Sequence, residues 1–81
     1  MLTEYLNAAL ETAHYEKIED EEPYYGEIPA LQGVWATGSS LEKCRRSLAA
    51  TLEDWLLFSL QRGEEVPAIG GVMLLRPRKA G

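Results

Sequence analysis

One long amphipathic segment constrains this chain more than any other feature. From Leu41 onward the positions Leu41, Cys44, Leu48, Leu52, Trp55, Leu56 and Ser59 recur at the spacing of one helix face, while Lys43, Arg46, Glu53 and Asp54 fall on the other. The spacing predicts a helix over about residues 40–62. Ser39 followed by Glu42 reads as a capping box at its start: the hydroxyl accepts from a backbone N–H and the carboxylate reaches back. Gly63 supplies the left-handed residue at which such a helix stops. A helix with one apolar stripe must lay it on something, and the remainder of the chain has to provide that surface. Leu57, Phe58 and Leu60 widen the stripe in the last turns, so either the C-terminal tail folds over them or a partner does.

The segment before this helix has the patterning to supply a sheet. A first short helix over about residues 3–13 carries apolar residues at Leu2, Tyr5, Leu6, Ala9, Leu10 and Ala13, with Thr3 as its cap and Glu4 near its positive end. Strands follow at about 14–19, 24–28 and 33–38. In the second, Tyr24, Gly26 and Ile28 share one face while Tyr25 and Glu27 share the other; in the third, Val34, Ala36 and Gly38 alternate against Trp35 and Thr37. The acidic turn Asp20-Glu21-Glu22-Pro23 joins the first two strands as a hairpin, and Pro29 to Gly33 form the next loop. After a loop over Glu64 to Gly71, Val72-Met73-Leu74-Leu75 reads as a possible fourth strand, and Arg76-Pro77-Arg78-Lys79 as a frayed basic end. The order α-β-β-β-α-β gives the α+β class: an antiparallel sheet of three to four strands with helices on one face, in a single domain over 1–81.

Size and composition then narrow the function. A domain of 81 residues has a small core, and chains of this size are commonly reinforced by disulfides, metal or association. With Cys44 the only cysteine and His14 the only histidine, an internal disulfide is excluded and four zinc ligands of the soft type are lacking. Association remains, so a homo-oligomer is expected. The net charge of −5 disfavours nucleic acid and suits a basic partner. No apolar run reaches membrane-spanning length and the N-terminus lacks a basic leader, which together with the unpaired cysteine points to the cytoplasm. No nucleophile stands near His14 in sequence, the run Glu19 to Glu22 lacks the alternation and glycine of a calcium loop, and Gly70-Gly71 is not followed by the residues of a phosphate loop. The expectation is no catalytic residue, no metal and no cofactor. Tyr24, Tyr25 and Trp35 read as core or interface anchors.

The stretch from Tyr24 to Cys44, YYGEIPALQGVWATGSSLEKC, resembles the core of the HicB antitoxin family: an aromatic strand, a Pro-x-Leu-x-Gly turn, a short strand and a Ser-Leu-Glu helix start. Trp55-Leu56-Leu57 and the exit Gly63-Glu64-Glu65-Val66-Pro67 extend the resemblance over roughly Tyr15 to Pro67. Gln32 departs from the usual proline of the turn. The resemblance implies a partial ribonuclease-H-like β-β-β-α-β unit that lacks that fold's catalytic carboxylates. It also implies an antitoxin of a type II toxin–antitoxin pair, which binds and masks a small basic HicA-like toxin encoded nearby, an mRNA interferase that uses a histidine. With the sequence ending at Gly81, no separate DNA-binding domain is expected, and operator binding by this chain alone is not expected either. The contact residues expected are Glu19, Asp20, Glu21, Glu22, Tyr24, Tyr25 and Trp35. Two rival readings stand beside this one: a stand-alone interaction and assembly domain without a toxin, and a degenerate ribonuclease-H-like nuclease. The nuclease would need carboxylates converging on magnesium, where the sheet offers mainly Glu16 and Glu27.

Overall fold

A computed structural model describes residues 2–69 and 71 of the chain. Its elements are α1 (Leu2–Glu11), β1 (His14–Lys17), β2 (Tyr24–Glu27), β3 (Trp35–Gly38) and α2 (Leu41–Gln61). The strands form one antiparallel sheet in the order β1-β2-β3. α2 lies against one side of the sheet and α1 packs on α2, so the class is α+β with one sheet face covered.

The covered face is built from small residues where the helix comes closest. Tyr15, Gly26 and Ala36 stand in one row across the three strands, and Lys17, Tyr24 and Gly38 in the next. A Cβ at Gly38 would land on the Cys44 backbone nitrogen, and one at Gly26 would sit 2.7 Å from the Tyr15 ring. Those two glycines let α2 lie down on the sheet, where Cys44, Leu48, Leu52, Leu56 and Ser59 are buried. Tyr5 and Ala9 from α1, Ile28, Leu31, Val34 and Ala36 from the sheet region, and Ile69 complete the core. The Tyr5 hydroxyl donates to the Pro67 carbonyl at 2.5 Å, tying α1 to the segment that leaves α2.

Several local expectations shift. α1 already includes Leu2, so Thr3 lies inside the helix instead of capping it, and the helix ends at Glu11, short of Ala13. The cap of α2 is Ser40, whose extended backbone (φ −141°, ψ 163°) lets Oγ accept from the Lys43 N–H at 3.1 Å. The Ser39–Glu42 box does not form, because with Ser40 as cap the third helical position is Lys43. Glu42 instead pairs with Arg46 one turn on, at 3.5 Å and in solvent. Leu41 is 45% exposed. Since Cys44 already sits over the end of β3, a residue one turn earlier projects past the strand. Trp55 is half-buried and packs against the core. The first strand stops at Lys17, with a last bond from the Ile18 N–H to the Pro23 carbonyl at 2.7 Å. β3 begins at Trp35 because Val34 closes the preceding turn, accepting from Ile28 and donating to Leu31. Gly33 and Gly63 do take positive φ, 91° and 73°. The expected fourth strand at about 72–75 and the basic end lie outside the described residues; Ile69, just before, is buried and forms a β-bridge.

Candidate protein-interaction face

Strand alternation puts every second side chain on the side of the sheet that no described helix covers. There the register lines up His14, Glu27 and Trp35 in one row and Glu16, Tyr25 and Thr37 in the next. Trp35 is 54% exposed, an unusual state for an indole in a short strand. Its ring stacks on Tyr25 with centroids 6.1 Å apart and planes 26° from parallel, the diagonal contact that neighbouring strands allow.

Carboxylates surround this aromatic pair. The Tyr25 hydroxyl donates to Glu27 Oε1 at 2.9 Å. That bond, then burial, then the charges of Glu27 and Glu16 push the phenol above its ordinary range. The Thr37 hydroxyl donates to Glu22 Oε1 at 2.7 Å, drawing the hairpin tip over the end of the face. Glu19, Asp20, Glu21 and Glu22 form that tip, and all four are exposed.

Of the seven residues expected to make contact, Tyr25, Trp35 and Glu22 are brought together, and Glu19, Asp20 and Glu21 adjoin them along the tip. Tyr24 is not part of the group. It lies on the helix side, half-buried, with Lys17 Nζ 5.5 Å from its ring centroid. Glu16, Glu27 and His14 belong to the face and were not among the expected contacts. Alternation had already placed Glu27 beside Tyr25, so that signal was present; Glu16 and His14 needed the register of β1. Among the described residues no three His, Cys, Asp or Glu side chains group as a metal site. Cys44 is buried on the opposite side, its thiol 3.6 Å from the Ala36 carbonyl and raised in pKa by burial, then by the charge of Glu22. Two concavities of about 290 and 270 Å³ lie away from the open face, one lined by Leu10, Tyr15, Glu42, Arg45 and Arg46, the other by Leu6, Glu53, Leu56 and Leu57.

The structure is similar to the crystal structure of TTHA0281 from Thermus thermophilus, with a TM-score of 0.92, 60% sequence identity and 95% of each chain covered. No curated protein matches the chain. Residues 4–67, most of the sequence, match the family model of the UPF0150-like proteins. The chain therefore belongs to the UPF0150-like family.

Proposed function

We propose that this protein works by binding a small basic protein, as the antitoxin that masks a HicA-like mRNA interferase in the cytoplasm, and that it carries out no catalysis of its own. The observation that carries the reading is the open sheet face, where half-buried Tyr25 and exposed Trp35 stack together, are ringed by Glu16, Glu22 and Glu27, and adjoin the acidic tip. A face of this composition disfavours RNA by charge and complements the surface a protein would use to hold RNA. The resemblance of Tyr24 to Cys44 to the HicB core names the kind of partner.

The test is co-expression with the neighbouring reading frame, followed by size-exclusion chromatography and an RNA-cleavage assay with and without this chain. A co-eluting complex in which cleavage is suppressed supports the antitoxin. A neighbour that neither binds nor cleaves RNA overturns it. The reading as an assembly domain has its own support in Leu57 and Phe58, 53% and 57% exposed at the end of α2. Self-association that persists without the neighbour would favour it.

A further inference from the structure

The chemistry of the open face is specific enough to name what it grips. Three carboxylates, Glu16, Glu22 and Glu27, border two aromatic rings, and the one basic side chain that the register places among them is His14. Lys17 is turned to the other side, over Tyr24. The Ile28 N–H donates to the Val34 carbonyl. That makes the next pair, Glu27 and Trp35, a non-hydrogen-bonded one, in which facing side chains stand closest. Glu27 accepts the Tyr25 hydroxyl at Oε1, which orients the carboxylate beside the indole and leaves Oε2 to accept from another donor. An exposed indole beside an oriented carboxylate is a receptor for a flat cation. The ring quadrupole attracts the charge and the carboxylate accepts its hydrogen bonds.

We propose that this face binds an arginine side chain of the partner, its guanidinium lying on the free face of Trp35 and bonded to Glu27. Arginine fits better than lysine because its cation is planar, weakly hydrated and forked, so it stacks and donates at once; an ammonium is a compact, strongly hydrated point. The proposal rests on the reading of this face as the docking surface, but it does not require the partner to be a toxin. Glu16 and Glu22 add negative potential around the slot and favour an arginine set in a basic segment over an isolated one.

The experiment uses the full chain carrying Trp55→Phe, which leaves Trp35 as the sole indole. It is titrated at low ionic strength with an end-blocked Gly-Arg-Gly-Arg-Gly peptide and with the lysine counterpart, followed by Trp35 fluorescence and by calorimetry. The arginine peptide shifts the Trp35 emission and binds at least about threefold tighter than the lysine peptide, whose ammonium cannot stack and donate through a planar fork at once. Trp35→Leu, read by calorimetry, and Glu27→Gln, which keeps the bond from Tyr25, each weaken arginine binding by about tenfold. Equal affinity for the two peptides, no binding of either, or arginine binding unchanged in Glu27→Gln overturns the proposal. The same two variants are run against the co-purified neighbour. A complex that forms undiminished with both variants sinks the arginine slot and leaves the antitoxin reading standing. Peptide selectivity without a toxin complex does the reverse.

Discussion

Two glycines decide how closely the long helix can approach the sheet, and they are unequal. A methyl at Gly38 would strike the backbone of α2, which cannot move without displacing the helix. One at Gly26 would meet the edge of the Tyr15 ring and, at 3.2 Å, the Cys44 sulfur, which can give way. Gly38→Ala should therefore cost about 3 kcal/mol and Gly26→Ala about 1 kcal/mol, measured by urea unfolding. Equal losses would mean that the helix is not seated on Gly38. Tyr5 offers a second test at this scale. Its hydroxyl reaches the Pro67 carbonyl from a fully buried ring, so Tyr5→Phe should lose about 1 kcal/mol. Burial raises the pKa of Tyr5 above 10.0, and that of Tyr15 likewise. The folded state thus holds these protons more tightly than the unfolded chain. Their contribution is whole below pH 10.0 and is lost as pH climbs through the folded-state values. Stability against urea should fall above about pH 10, and less steeply in Tyr5→Phe than in the unaltered protein.

The elements themselves were largely legible before any contact was known. The recurrence from Cys44 to Ser59 marked the buried stripe of α2, and the alternation through Tyr24 to Glu27 and Trp35 to Gly38 marked both faces of their strands. Positive φ at Gly33 and Gly63 followed from residue type and position. The sequence points to Ser39 as the helix cap, one residue before the actual one, because two adjacent serines offer the same chemistry. The choice falls to Ser40 because Gly38 must sit beneath Cys44, which leaves only Ser39 to turn the chain. Ser40→Ala should destabilise the protein by about 1 kcal/mol while Ser39→Ala leaves the urea midpoint nearly unchanged. The reverse order would restore the capping box. Within the stripe, Leu52→Ala should cost about 2–5 kcal/mol, since its side chain is fully buried in the core that the helices and the sheet share.

At the scale of the molecule, the folded chain has a covered face that holds it together and an open face that carries the chemistry proposed for recognition. Its net charge of −5 gives a field that would attract a basic partner, and Glu19 to Glu22 is the longest acidic run in the sequence. Replacing Glu19, Asp20, Glu21 and Glu22 together with lysine should slow association with a basic toxin by at least about tenfold and flatten its dependence on salt, measured by stopped-flow mixing. Unchanged kinetics would remove the tip from the encounter. The apolar end of α2 has a different standing. Leu57 and Phe58 are more than half exposed, so replacing both with Gln should change unfolding free energy by less than about 0.5 kcal/mol. A larger loss would show that something covers them.

By itself the sequence determined most of the local structure: which segments are helical, which strand positions face together and where the chain turns. Each of these depends on neighbours a few residues apart, whose period or backbone freedom is written in the order of residue types. The tertiary structure decided the register. Only pairing β1 with β2 sets Glu16 and His14 on the face with Tyr25 and Glu27, and only the fold of the hairpin brings Glu22 to Thr37. Tyr24 and Tyr25 show the limit most plainly. They are adjacent, chemically identical and both half-buried, yet one covers the side under the helices and the other stacks on Trp35. Adjacent residues of a strand point to opposite faces, and which face stays open is settled by where α1 and α2 pack.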